Sequence, residues 1–178
     1  MKFFLNFILI NFLLNDYINM EYVKPFIISA IDIIKKTANI DVKKDKVYMK
    51  RGKKSIGGVG IIIDLSGDIT GKVVYEFSRY VTMRLSSSMI KESNIATYSK
   101  EEYKQLLESA ILELGNMIAG SAISYISKLG YNCNISTPRF FLGKDLTLIP
   151  FYLTTVVIDF VSDYGNFTIN LSIKDKRI

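Results

Sequence analysis

With 178 residues, 49% of them hydrophobic, the chain has apolar surface enough for one sizeable core and too little for two large ones. It contains no histidine, which excludes the commonest general base, the commonest zinc ligand and every Ser–His or Cys–His nucleophile system. The net charge of +6 gathers in Lys43-Lys44-Asp45-Lys46, Lys50-Arg51-Gly52-Lys53-Lys54 and the tail Lys174-Asp175-Lys176-Arg177. Only Tyr48 is interleaved with the first group, so it reads as a solvated strand edge and not as a nucleic-acid surface.

The first residues, Met1 to Leu14, form an apolar run led by Lys2 and interrupted by Asn6 and Asn11. The run is shorter than the roughly 20 residues a bilayer span requires, and no small-residue cleavage site follows it. We read residues 1–19 as an extension from a start codon placed too early, ahead of amphipathic membrane attachment and of a signal peptide. Residues 20–178 are read as the domain.

Pro25 is expected to open a helix, with Phe26, Ile27, Ala30, Ile33 and Ile34 at helical spacing and an end near Asn39. Asp41 to Arg51 is a polar strand candidate. The β-branched runs Gly57–Leu65 and Ile69–Phe77, separated by Ser66-Gly67-Asp68, predict a hairpin. A short helix follows from Ser78 or Tyr80 to about Ile90, and Ser93 to Tyr98 is a loop. Ser99 and Glu102 form a capping box for a long helix from Lys100 to about Leu129, which Gly130 ends. Asn132 to Ile135 is a short strand, after which Pro138 breaks the chain. Phe151–Val161 and Phe167–Lys174 predict a second hairpin. The single cysteine, Cys133, permits no internal disulfide or cysteine metal site. It reads as a small buried hydrophobe in a reducing cytoplasm. The order α-β-β-β-α-α-β-β-β points to an α+β fold, a mostly antiparallel sheet with long helices packed on one face.

The long helix carries the chemistry. At about 100° per residue, Ser109, Glu113, Asn116 and Gly120 fall within roughly 40° of one direction. Leu107, Ile111, Leu114, Ile118, Ala122, Tyr125 and Leu129 are expected to form the opposite, core-facing stripe. Leu112, Met117, Gly120 and Ile123 make the outer side apolar for a solvated face. Gly115 and Gly120 each cost roughly 1 kcal/mol against alanine within a helix, so close packing or close approach must offset them. Gly115, Ala119 and Gly120 are expected to thin the helix on a flank that another body approaches. A solvated helix face explains Glu113 and Asn116 equally well on the residues alone.

Ser109-x3-Glu113-x2-Asn116, with Pro138 further on, resembles the signature of the CheC/CheX/FliY family of chemotaxis phosphatases. The string from Glu113 to Gly120, the opening Pro25-Phe-Ile-x-Ser-Ala, the glycine-bearing Ile69-Thr-Gly71 and the closing hairpin to Ile173 are similar to CheX proteins over residues 20–178. One motif copy, with none on the Pro25 helix, matches the CheX type. The resemblance implies a CheC-like fold and hydrolysis of the aspartyl phosphate on the response regulator CheY. It implies Glu113 and Asn116 as catalytic residues, Ser109, Met117 and Gly120 as supporting or docking residues, and no metal of its own. Mg²⁺ is expected in the partner regulator. A homodimer in the cytoplasm, without nucleic-acid or membrane contact, completes the expectation. The alternative is a non-catalytic adaptor or flagellar-switch module that binds a phosphorylated regulator.

Overall fold

A computed structural model describes residues 20–52, 54–90, 98–148 and 154–177. The extension at 1–19, most of the expected loop at 93–98 and the start of the strand expected at Phe151 lie outside the described residues.

Among the described residues the elements follow in the order α1 (Met20–Ala38), β1 (Val42–Arg51), β2 (Lys54–Gly67), β3 (Ile69–Phe77), α2 (Arg79–Met89), α3 (Lys100–Lys128), β4 (Cys133–Ile135), β5 (Arg139–Leu148), β6 (Thr154–Ser162) and β7 (Gly165–Asp175). The strands build one sheet in the order β1-β6-β7-β3-β2-β4, with β5 also paired to β2. Every pairing in it is antiparallel.

Strand alternation explains why the helices cover one face. Val59, Ile61, Ile63 and Leu65 of β2, Val73, Tyr75 and Phe77 of β3, and Phe167, Ile169 and Leu171 of β7 share a core with Phe26, Ala30 and Ile34 of α1 and Ile111, Leu114, Ile118 and Ile126 of α3. The out-of-phase residues Ile62 and Val74 form a small separate cluster on the other face, with Phe141 packed against them. Within the core, aromatic rings stack along β3 and across to β7 and β6. Tyr75 lies 6.5 Å from Phe77, Phe77 lies 5.2 Å from Phe167, and Phe167 lies 4.8 Å from Phe160.

The basic strand β1 is a sheet edge, exposed along nearly its whole length. Its lysines therefore sit where unpaired backbone would otherwise invite another strand. At the far end of the fold, the Tyr22 hydroxyl meets the hydroxyl of Tyr131 and donates to Asp175 Oδ2 at 2.5 Å. The contact joins α1, the turn after α3 and the end of β7.

Two expectations change. Pro25 does not open α1, which begins at Met20 and carries Pro25 inside it. The missing N–H costs one bond, to the Glu21 carbonyl in the first turn, and the extra turn buries Tyr22 and Val23. The chain does not stop pairing at Pro138 either. β4 and β5 run successively along β2, with Cys133 opposite Gly67, Ile135 opposite Leu65 and Arg139 opposite Ile62. Ser136 bridges the break: its N–H donates to the Asp64 carbonyl at 2.9 Å, and its hydroxyl accepts from the Asp64 N–H at 3.0 Å. Proline is tolerated there because it precedes the first residue of an outer strand, where no ladder bond is asked of it.

Candidate functional site

α3 is fixed at both ends by local chemistry. The Ser99 hydroxyl accepts from the Glu102 N–H at 3.3 Å, and Glu102 Oε2 accepts from the Ser99 N–H at 2.8 Å. Hydrogen bonds from the Ser99 side chain and backbone hold the Glu102 carboxyl below the usual carboxylate range. Gly130, at φ +86°, takes the left-handed conformation that ends the helix. Between these ends the helix packs on α1, α2, β2, β4 and β5. Ser29 donates to Ser121 across the α1 contact at 2.9 Å, and Ser86 donates to the Leu107 carbonyl across the α2 contact at 2.9 Å.

The buried face of α3 differs from the expected stripe in its second half. Ile111, Leu114, Ile118 and Ala122 are buried as expected, whereas Tyr125 and Leu129 are 40% and 51% exposed. Ile123 and Ile126 are buried in their stead. In this half α3 meets α1 at Ser121 and β4 beside Gly120, and these neighbours draw the buried side round to Ile123 and Ile126. Ile123 is therefore part of the core and not of the outer face. By length and composition α3 is apolar enough to cross a membrane, but its apolar side is spent on this core.

The outward stripe matches its expected geometry. Ser109 and Glu113 are exposed, and Asn116, Met117 and Gly120 are partly exposed. No side-chain hydrogen bond or ion pair joins Ser109, Glu113 or Asn116 to another described residue. A carboxylate and a carboxamide one turn apart thus face outward with their bonding capacity free. Pro138 is half-buried at the break between β4 and β5, two strands that both touch α3.

Gly115 and Ala119, expected on an approachable flank, are buried. A Cβ on Gly115 would stand 3.2 Å from Ile61 Cγ2, 3.3 Å from Ile61 Cδ1 and 3.6 Å from Tyr75 Cδ2. The glycine lets the helix backbone lie almost on the sheet. A Cβ on Gly120 would meet only Ile135 Cδ1, at 4.0 Å, which is ordinary contact. The sequence signal for both was the same, a glycine inside a helix; which neighbour each one faces is set by residues far off in the chain.

Cys133 and Tyr75 are among the other groups whose protonation is shifted. Burial, and then the Asp68 carboxylate, push the Cys133 thiol up to about 11, so it stays an inert thiol. Burial alone pushes the Tyr75 phenol up, and its hydroxyl has no hydrogen-bond partner. Among the described residues, no three acidic or cysteine side chains converge as a metal cage.

Comparison with known proteins agrees with this architecture. The family model described as chemotaxis phosphatase CheX matches residues 59–161. A Thermotoga maritima protein named CheY-P phosphatase CheX is 32% identical over 116 residues, which span 64% of this chain and 70% of that protein. The solved chemotaxis protein CheX from Desulfovibrio desulfuricans superposes with a TM-score of 0.74 at 21% identity, over 86% of this chain and 98% of its own. The CheX of a CheX–CheY–BeF3–Mg²⁺ complex from Borrelia burgdorferi superposes with a TM-score of 0.73 at 22% identity, over 88% of this chain and 99% of its own. The family model, matched over more than half of the chain, and the 32% identity to the Thermotoga maritima CheX place this chain in the CheX family.

Proposed function

We propose that this protein hydrolyses the aspartyl phosphate of a CheY response regulator, with Asn116 positioning the attacking water. The observation that carries the reading is the pair Glu113 and Asn116, outward on one helix and bonded to no other described residue. The Thermotoga maritima relative bears the name CheY-P phosphatase, and the Borrelia burgdorferi neighbour was solved with CheY, BeF3 and Mg²⁺.

The chemistry suits a histidine-free chain. An acyl phosphate is already activated, so hydrolysis requires chiefly a water held in line with the leaving oxygen and compensation of charge on the phosphoryl group. Mg²⁺ and a lysine of the regulator supply that compensation, and this chain contributes no metal ligand of its own. The Asn116 carboxamide accepts one hydrogen from the water and donates to the phosphoryl oxygens, which fixes direction without strong basicity. Glu113, one turn earlier, pairs with the regulator's lysine and sets the register of docking. Ser109 supports the N-terminal end of this edge, while Met117 and Gly120 give the regulator an apolar and a small surface to approach. The protein acts in the cytoplasm, where its substrate resides, as a homodimer joined by sheet-edge contact.

The test is phosphate release from phosphorylated CheY with this protein at a hundredth of the substrate concentration or less. Multiple turnovers above the regulator's own rate are expected. Binding without accelerated release would establish the adaptor alternative instead.

A further inference from the structure

Ile61 is the point on which α3 rests, and it has little freedom to yield. Its side chain and that of Tyr75 are both fully buried. In the sheet Ile61 lies opposite Tyr75 on one side and opposite Phe140 on the other, so two aromatic neighbours flank it. Tyr75 in turn belongs to the aromatic stack through Phe77 and Phe167 to Phe160. Above this support, a Cβ at position 115 would come within 3.2 Å and 3.3 Å of two Ile61 carbons. Packed interiors transmit such an overlap instead of absorbing it. The sheet is broad and braced, whereas the helix has solvent on its far side, so the helix is the body that moves.

Gly115 lies between Glu113 and Asn116 on the same turns of α3. We infer that Gly115 and Ile61 form a seat that sets the height and rotation of α3, and through it the aim of the Asn116 carboxamide. Gly115 is a positioning residue: it touches Ile61 and Tyr75, and acts on the reaction only through the helix that carries Asn116. The inference rests on the phosphatase reading for its catalytic consequence, and on packing alone for its structural one. Misplacement of a reacting group by about 1 Å costs on the order of a hundredfold in rate, so the few tenths of an ångström that this overlap demands correspond to about three- to tenfold. An exposed carboxylate such as Glu113 can follow its partner by a change of rotamer. The seat therefore governs turnover more steeply than docking.

The experiment compares the full-length wild type with Gly115→Ala, Asn116→Ala and Gly115→Ala/Ile61→Val, each corrected for its folded fraction. Gly115→Ala is expected to lower kcat for phosphate release by about three- to tenfold, with KM for phosphorylated CheY changed less than about twofold. Ile61→Val removes Cδ1, at 3.3 Å, and leaves Cγ2, at 3.2 Å, so the double variant is expected to regain part of the lost kcat. A role in stability alone would lower the folded fraction and leave kcat per folded molecule unchanged, which would overturn the inference. So would a double variant no faster than Gly115→Ala. If the wild type does not accelerate phosphate release, the phosphatase reading fails by itself; if Asn116→Ala matches an active wild type, only the amide's role fails. The seat is then read from the NMR signals of the Asn116 side-chain amide, which must move in Gly115→Ala and return toward wild-type positions in the double variant. Unmoved signals overturn it whatever the turnover.

Discussion

The two glycines within α3, Gly115 and Gly120, are identical in their local cost and opposite in what surrounds them. Each lowers helix stability by roughly 1 kcal/mol relative to alanine. At Gly115 the compensation is visible: the helix settles onto Ile61 and Tyr75 at a distance no Cβ would allow without displacement. At Gly120 the space for a methyl group is already there. One glycine is accounted for by the inside of the molecule and the other is not. The same division separates the two sides of the helix, since Leu114 and Ile118 are spent on the core while Glu113 and Asn116 bond to nothing described.

The largest effect expected from breaking this division is at the outward side. Asn116→Ala should leave folding intact, because the side chain is partly exposed and makes no bond to a described residue, while phosphate release falls by about two orders of magnitude or more. Wild-type release rates from that variant would remove the amide from the mechanism. Leu114→Ala tests the inward side. It opens a cavity at a fully buried position and should cost about 2–5 kcal/mol in urea unfolding. Its folded fraction should still turn over, since the outward groups are chemically untouched; a stability within 1 kcal/mol of wild type would count against the core assignment. Glu113→Ala should sit between the two. It is expected to leave kcat nearly unchanged and to raise the concentration of phosphorylated CheY needed for half-maximal rate by about thirtyfold, the equivalent of about 2 kcal/mol for a lost interfacial charge pair. An unchanged KM would take Glu113 out of docking.

How much of this was legible before the fold was known follows from the range of each cause. The capping box of Ser99 and Glu102, the left-handed Gly130 and the Gly67 and Gly165 turns act within a few residues, and the sequence reveals them directly. The outward stripe of Ser109, Glu113, Asn116 and Gly120 follows from helical periodicity, which is also local. The errors lie where the cause is distant. Pro138 looks like an end, yet β2 offers β5 an outer edge on which a preceding proline does no harm. Tyr125 and Leu129 continue the apolar spacing, but α1 and β4 lie on another side of this half of the helix and Ile126 takes the core position. Gly115 and Gly120 could not be told apart, because Ile61 and Ile135 come from strands on either side of the helix in sequence. Glu113 and Asn116 were located by pattern, and their role comes from resemblance, since a solvated face would show the same spacing.

Gly120→Ala is the smallest change and the sharpest test of the contrast. The new methyl group meets only Ile135 Cδ1, at 4.0 Å, so no packing penalty opposes the gain in helix propensity. Stability should rise by about 0.5–1 kcal/mol. In a domain of this size that corresponds to a melting temperature higher by about 1–4 °C, measurable by calorimetry. Gly120 shares the outward stripe with Asn116, so under the proposed function the same methyl group stands where the regulator docks, and KM for phosphorylated CheY should rise while the free protein becomes more stable. Those opposite signs are what separate a residue kept for a partner from one kept for the fold. A fall in melting temperature would show that Gly120 serves internal packing as Gly115 does, and the distinction between the two sides of α3 would lose its clearest case.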